Sequence, residues 1–144
     1  MPKLKNYLPD VNVWLALVAE RHVHNAEAAR WFDSVRNQQV AFCRVTQMGL
    51  LRLLTNRKVM GVDVQTMAKA WAAYERARVD ARVLFLTEPY ALESEWRRLT
   101  SARAVSTNTW TDTYLSAFAA TAGLEFVTFD KKARPGSQGT LLLG

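Results

Sequence analysis

Short apolar runs that alternate with longer segments of helical periodicity restrict this chain to a narrow set of folds. Asn6 to Leu8, Val40 to Cys43, Val83 to Leu86 and Phe126 to Phe129 read as strands, and Thr140 to Leu143 as a candidate fifth. The helical segments begin after Asp10, which caps Val11-Asn12-Val13-Trp14-Leu15-Ala16-Leu17. Asn25 to Val35 sets Ala28, Ala29, Trp31, Phe32 and Val35 at helical spacing, and Thr46 caps a helix through Leu54, with Asn56 just past its end. Further helices are expected over Val64 to Arg78, Ala91 to Thr100 and Thr113 to Ala122, the last opened by Thr111-Asp112 and stopped by Gly123. Strands joined in this way are parallel, because only a crossover connection, usually a helix, returns the chain to the same end of the sheet. The expected architecture is a three-layer α/β/α domain with a central, mainly parallel sheet of four or five strands. Ligands of such sheets gather outside the carboxyl ends of the strands. Asp10, after the first strand, and Asp130, after the fourth, both belong at that edge.

A chain of 144 residues, 49% of them hydrophobic, is the size of one domain, and residues 1–144 are read as one. The best apolar stretch, Val13 to Ala19, is broken by Glu20, Arg21 and His22. It falls far short of the roughly 20 residues that a membrane span needs. No apolar segment with a small-residue cleavage site follows the charged start, so a soluble, cytoplasmic protein is expected. Cys43 is the single cysteine, which rules out an intrachain disulfide and suits a buried strand thiol. The formal charge of +6 favours an anionic partner, because neutralised phosphates release their condensed counterions. The basic residues form local groups at Arg76/Arg78/Arg82, Arg97/Arg98/Arg103 and Lys131/Lys132/Arg134. A glycine-rich phosphate loop, a serine-histidine-acid set and a zinc-ligand cluster are all missing from the sequence.

The chemistry is carried by three acids at element junctions: Asp10, Asp112 and Asp130. Each alone is an ordinary helix cap, first-turn acid or turn residue. Brought to one edge, they repel one another unless they are protonated or bridged by a cation, and their hard oxygens suit Mg²⁺ or Mn²⁺. Such an ion reconciles an acidic pocket with a basic surface: it binds a phosphate oxygen while Lys and Arg hold the flanking backbone. Phosphodiester hydrolysis follows as the natural reaction class.

In this order, Leu8-Pro9-Asp10-Val11-Asn12-Val13, Cys43-Arg44-Val45-Thr46-Gln47 with Leu50-Leu51-Arg52-Leu53-Leu54-Thr55-Asn56, Trp110-Thr111-Asp112-Thr113-Tyr114-Leu115-Ser116-Ala117-Phe118 and Val127-Thr128-Phe129-Asp130 resemble the PIN domain of VapC-type ribonuclease toxins. The resemblance covers most of the chain. It implies a Mg²⁺-dependent endoribonuclease, a homodimer, held inactive by a VapB-type antitoxin whose tail enters or covers the active-site groove. It also implies metal-binding roles, direct or through water, for Asp10, Asp112 and Asp130. One position departs: where many PIN domains carry a glutamate in the helix after the second strand, this chain carries Gln47, a neutral ligand at best. Whether one ion or two are held therefore stays open.

Asn12 and Thr128 are candidates to hydrogen-bond the acids or metal-bound water, and Arg52 to reach a substrate phosphate or pair with an acid. Glu88, at the end of the third strand, is expected to be a solvated turn acid. His22 and His24 are expected to be exposed loop histidines, and the five tryptophans to serve core and dimer packing, with Trp110 beside the site. Two competing functions remain. One is a non-catalytic RNA- or partner-binding module of the same fold, motivated by Gln47. The other is a phosphotransferase or phosphatase with Asp10 as covalent nucleophile, disfavoured because Asn12 stands where a second aspartate is expected.

Overall fold

A computed structural model of the protein describes residues 5–101, 109–131 and 139–144. The chain opens with strand β1 (Asn6–Pro9), helix α1 (Val11–Val18), helix α2 (Asn25–Ser34) and strand β2 (Val40–Phe42). Helix α3 (Arg44–Leu54), the single-turn helix α4 (Arg57–Met60), a 3-10 turn at Gly61–Asp63 and helix α5 (Met67–Val79) lead to strand β3 (Val83–Phe85). Helices α6 (Leu92–Ser101) and α7 (Thr109–Ala122) and strands β4 (Leu124–Thr128) and β5 (Thr140–Leu142) complete the described residues.

Local hydrogen bonding moves several boundaries away from the sequence expectation. Thr46 does not cap α3; Cys43 does, and Thr46 Oγ1 accepts from the Cys43 backbone N–H at 3.0 Å, three residues into the motif. Asn56, expected just past a helix end, instead caps α4 by accepting from the Lys58 N–H at 2.9 Å. Thr66 caps α5, accepting from the Lys69 N–H at 3.2 Å, so Val64 and Gln65 lie outside it. Helix α7 begins at Thr109 and already contains Asp112 in its first turn. It ends at Gly123, whose φ of +71° reverses the chain so directly that β4 starts at Leu124, two residues earlier than expected.

The sheet has five parallel strands in the order β3-β2-β1-β4-β5. Side chains alternate across it as strand geometry requires. Val40 and Phe42 join Trp14, Leu15, Leu50, Leu54, Ala70 and Tyr74 beneath α1, α3 and α5. Leu8, Ala41, Cys43 and Phe126 join Leu92, Leu115 and Phe118 beneath α6 and α7 on the opposite face. Chain direction explains this division. From β1 the chain steps outward through β2 to β3, then returns past β1 to β4. With right-handed crossovers, a reversal of direction places the next helices on the other face. The reversal makes β1 and β4 the switch point, where an open sheet leaves a crevice at its carboxyl edge.

Two packing details hold that edge. Trp14 of α1 is buried and stacks on Phe42 of β2, with ring centroids 3.8 Å apart. Gly49 lets α3 approach the start of α1 closely: a Cβ there would lie 2.6 Å from Val11 Cγ2. The tryptophans are not uniformly core residues, since Trp71 is 48% and Trp110 56% exposed. Among the described residues no helix is long and apolar enough to cross a membrane.

Candidate active site

Asp10 stands where β1 ends and α1 begins. Its backbone N–H donates to the Val127 carbonyl at 2.7 Å, extending the β1–β4 pairing by one step. Its Oδ1 accepts from the Val11 N–H at 2.7 Å, capping α1, and its Oδ2 accepts from Thr128 Oγ1 at 3.2 Å. Thr128 is fully buried and also accepts from the Asp130 N–H at 3.0 Å. One hydroxyl therefore ties the first acid to the turn that carries the third. The register dictates this: Pro9 pairs with Val127, so Asp10 comes level with Thr128.

Helix packing positions the second acid. Asp112 lies in the first turn of α7, and Trp96 of α6 donates through Nε1 to the Trp110 carbonyl and Thr113 Oγ1, each at 3.1 Å. The Trp96 ring meets Trp110 and Tyr114 edge-on, at 6.0 and 5.2 Å. The start of α7 is thus pinned to α6.

Burial pushes the Asp10 carboxyl above its usual pKa; the Val11 N–H and the Thr128 hydroxyl pull it back, and the charges of Asp112 and Asp130 push it up again. Asp112 and Asp130 thus act on Asp10 through space. Among the described residues, no three His, Cys, Asp or Glu side chains converge into a ready-made metal cage. An open carboxylate set fits a hard cation such as Mg²⁺, which keeps several waters and takes one or two carboxylates.

The PIN domain family matches residues 7–134, from the middle of β1 to beyond Asp130. The chain belongs to the PIN-domain family. Ribonuclease VapC41 of Mycobacterium tuberculosis is 43% identical over 128 residues, 85% of this chain and 88% of that protein. In fold, this PIN domain is similar to a structure of VapBC2 from Rickettsia felis bound to a DNA fragment from their promoter, with a TM-score of 0.69, 10% identity and coverage of 96% and 98% of the two chains. A toxin-antitoxin complex from Klebsiella pneumoniae has a TM-score of 0.65 at 18% identity, covering 94% and 96%.

Around the acids of this PIN domain, the other residues singled out from sequence separate into those near the edge and those away from it. Gln47 is buried, and its Oε1 accepts from Arg44 Nη1 at 2.6 Å. Asn12 is exposed on α1. Arg52 lies beside Met48 in a groove lined by Thr55, Met67 and Trp71, between α3 and α5. It sits roughly 12 Å along the helix axis from the start of α3. Glu88 is exposed as expected, but it accepts from the Tyr114 hydroxyl at 2.8 Å; burial and this bond push the Tyr114 pKa up.

The histidines depart from expectation. Both are half-buried, and the His24 ring stacks on Phe129 at 4.7 Å, between Thr128 and Asp130 in sequence. Its backbone N–H donates to His22 Nδ1 at 3.0 Å. They brace the turn that holds Asp130. Arg103, Lys132 and Arg134 of the basic groups lie outside the described residues.

Sequence reasoning missed Arg44. It is the first residue of α3, its guanidinium lies 4.7 Å from the centroid of the Phe85 ring, and it donates to Gln47. A signal was present, because a cation at a helix N-terminus opposes the helix dipole, and broken local rules concentrate at functional sites.

Proposed function

We propose that this PIN domain, read as one unit over residues 1–144, is a divalent-metal-dependent endoribonuclease of the VapC toxin type. The observation that carries the reading is the linkage of Asp10 and Asp130 through the buried Thr128 hydroxyl, with Asp112 acting on Asp10 from α7, at the switch point of the sheet. Asp10, Asp112 and Asp130 would hold Mg²⁺, or Mn²⁺, directly or through water. The cation supplies charge neutralisation at the phosphate and activation of water at neutral pH. Thr128 favours the ionised form of Asp10 and aims it by donating to Oδ2, and the Val11 N–H fixes the other oxygen. Trp96 holds the first turn of α7 so that Asp112 stays at the pocket while the substrate exchanges.

Support for RNA as the substrate comes from the chain's charge of +6 and from a relative carrying the name ribonuclease at 43% identity. An antitoxin of the VapB type is the proposed partner, on the likeness in fold to the Klebsiella pneumoniae toxin-antitoxin complex. Homodimeric assembly and a cytoplasmic site of action belong to the same reading.

The deciding experiment incubates the purified protein with a mixed pool of structured RNAs in Mg²⁺, in Mn²⁺ and in chelator, with Asp10→Asn and Asp112→Asn in parallel. Metal-dependent cutting lost in both variants is expected, with a fall in kcat of roughly a hundredfold or more. Wild-type rates in Asp10→Asn at matched metal would overturn the assignment. Metal binding and RNA binding without turnover in the wild type would transfer the protein to the non-catalytic module.

A further inference from the structure

We infer that Arg44 is a substrate-binding residue, seating the RNA phosphate next to the one held at the acids, and that Gln47 is its positioning residue and not a metal ligand. The inference rests on the nuclease reading and extends it along the sheet edge.

Placement comes first. Tyr7 pairs with Val40 in parallel register, so three residues on Asp10 comes level with Cys43, and Arg44 is the next residue of that neighbouring line. Adjacent strands lie about 4.8 Å apart. The carboxyl edge is therefore divided: Asp10, Thr128 and Asp130 occupy its β1–β4 part, and a guanidinium its β2–β3 part, against Phe85.

Charge comes second. Arg82 is tied to Asp80 at 2.8 Å, Arg97 to Glu93 at 3.1 Å and Arg98 to Glu95 at 2.6 Å. Among the described residues no carboxylate pairs with Arg44. Its partners are a neutral amide oxygen and an aromatic face. Gln47 is only 7% exposed, so the amide is fixed by burial and holds the guanidinium in place without cancelling its charge. A carboxylate at position 47 would orient Arg44 equally well and neutralise it.

Chemistry comes third. One Nη1 bond to Gln47 leaves further N–H donors in the guanidinium plane, and that fork matches phosphate oxygens. The helix-dipole opposition at this position is offset when an anion is bound there. A single-stranded backbone laid along the edge brings one phosphate to the acids and its neighbour to Arg44.

The test measures binding of a fluorescent single-stranded oligoribonucleotide to protein carrying Asp10→Asn, over a range of salt, and cleavage by the otherwise wild-type chain. Arg44→Ala is expected to weaken binding about tenfold and to lower the salt slope by roughly 0.7, the loss of one phosphate contact on a single strand. In cleavage the loss falls on KM. Gln47→Glu, which leaves Arg44 present but ion-paired, is expected to reproduce both changes, whereas Arg44→Lys keeps the salt slope and loses part of the affinity. Unfolding midpoints of each variant establish that the fold is intact. Wild-type affinity and slope in folded Arg44→Ala would overturn the inference while leaving the nuclease assignment standing. Cleavage absent from the wild type, with the Arg44 effect on binding intact, would overturn the nuclease instead. Tighter binding in Gln47→Glu would remove Gln47 from the role given to it.

Discussion

Asp10 is held partly out of water between β1 and α1, and its raised pKa has a thermodynamic consequence. A carboxyl whose pKa is higher in the folded protein than in the unfolded chain binds more protons when folded. Its contribution to stability is fully present below the unfolded value near 3.8 and is lost as pH rises through the folded value. Ionising Asp10 in the folded protein therefore costs stability. Asp10→Asn should raise the melting temperature in chelator at pH 7, even as it removes activity. Added Mg²⁺ should raise the wild-type melting temperature and leave that of the variant unchanged. A lower melting temperature for Asp10→Asn would show that the carboxylate's hydrogen bonds to Val11 and Thr128 outweigh its burial. Thr128 provides a second prediction. Thr128→Val removes the hydroxyl that serves Asp10 Oδ2 and the Asp130 N–H, and leaves both without that partner. Denaturant unfolding should show a loss of about 1–3 kcal/mol, with kcat reduced at least tenfold, and Thr128→Ser should restore most of both. The three acids are candidates from sequence because each follows a strand or opens a helix, and Thr128 because it lies in the strand that leads to Asp130. Arg44 showed there only as a cation at a helix start, because the rest of its meaning depends on Phe85 and Gln47 lying beside it.

At the scale of elements, the site depends on how closely α3 can approach α1. Gly49 faces Val11, the residue after Asp10, and a Cβ at 2.6 Å from Val11 Cγ2 cannot be accommodated without movement. Alanine is the better helix former by about 0.8–1 kcal/mol, so propensity alone predicts that Gly49→Ala stabilises. Packing predicts the reverse, since overfilling a tight contact costs about 1–3 kcal/mol and the shift is transmitted to the Asp10 cap. Gly49→Ala should lower both the unfolding midpoint and cleavage, and the Val11→Ala/Gly49→Ala double variant should recover stability, a coupling that a double-mutant cycle measures. Equal stability in Gly49→Ala and the wild type would show that α1 and α3 slide freely. The longer elements were readable from periodicity, whereas their ends and the single-turn α4 were not. Thr46 and Asn56 each had cap chemistry in the sequence, but the chain used one to close a capping box and the other to start a helix unforeseen from periodicity.

For the whole molecule, the parallel α/β class follows from the alternation of apolar runs with amphipathic segments, and the placement of Asp10 and Asp130 at the carboxyl edge follows from the class. Composition, charge and the junctional acids also come from the sequence, because each is a property of residues close together in the chain. The strand order β3-β2-β1-β4-β5, with its switch between β1 and β4, is decided by tertiary structure. So are the hydroxyl bridge from Thr128 to Asp10 across 118 positions, the stacking of His24 on Phe129, and the tilt of Arg44 toward Phe85. Local pattern determines which segments bury a face, since burial follows the period of each element. It does not determine which buried face meets which. That choice is settled by mutual packing and by the handedness of the crossovers, and it joins Asp10 to the turn that carries Asp130 through the Thr128 hydroxyl.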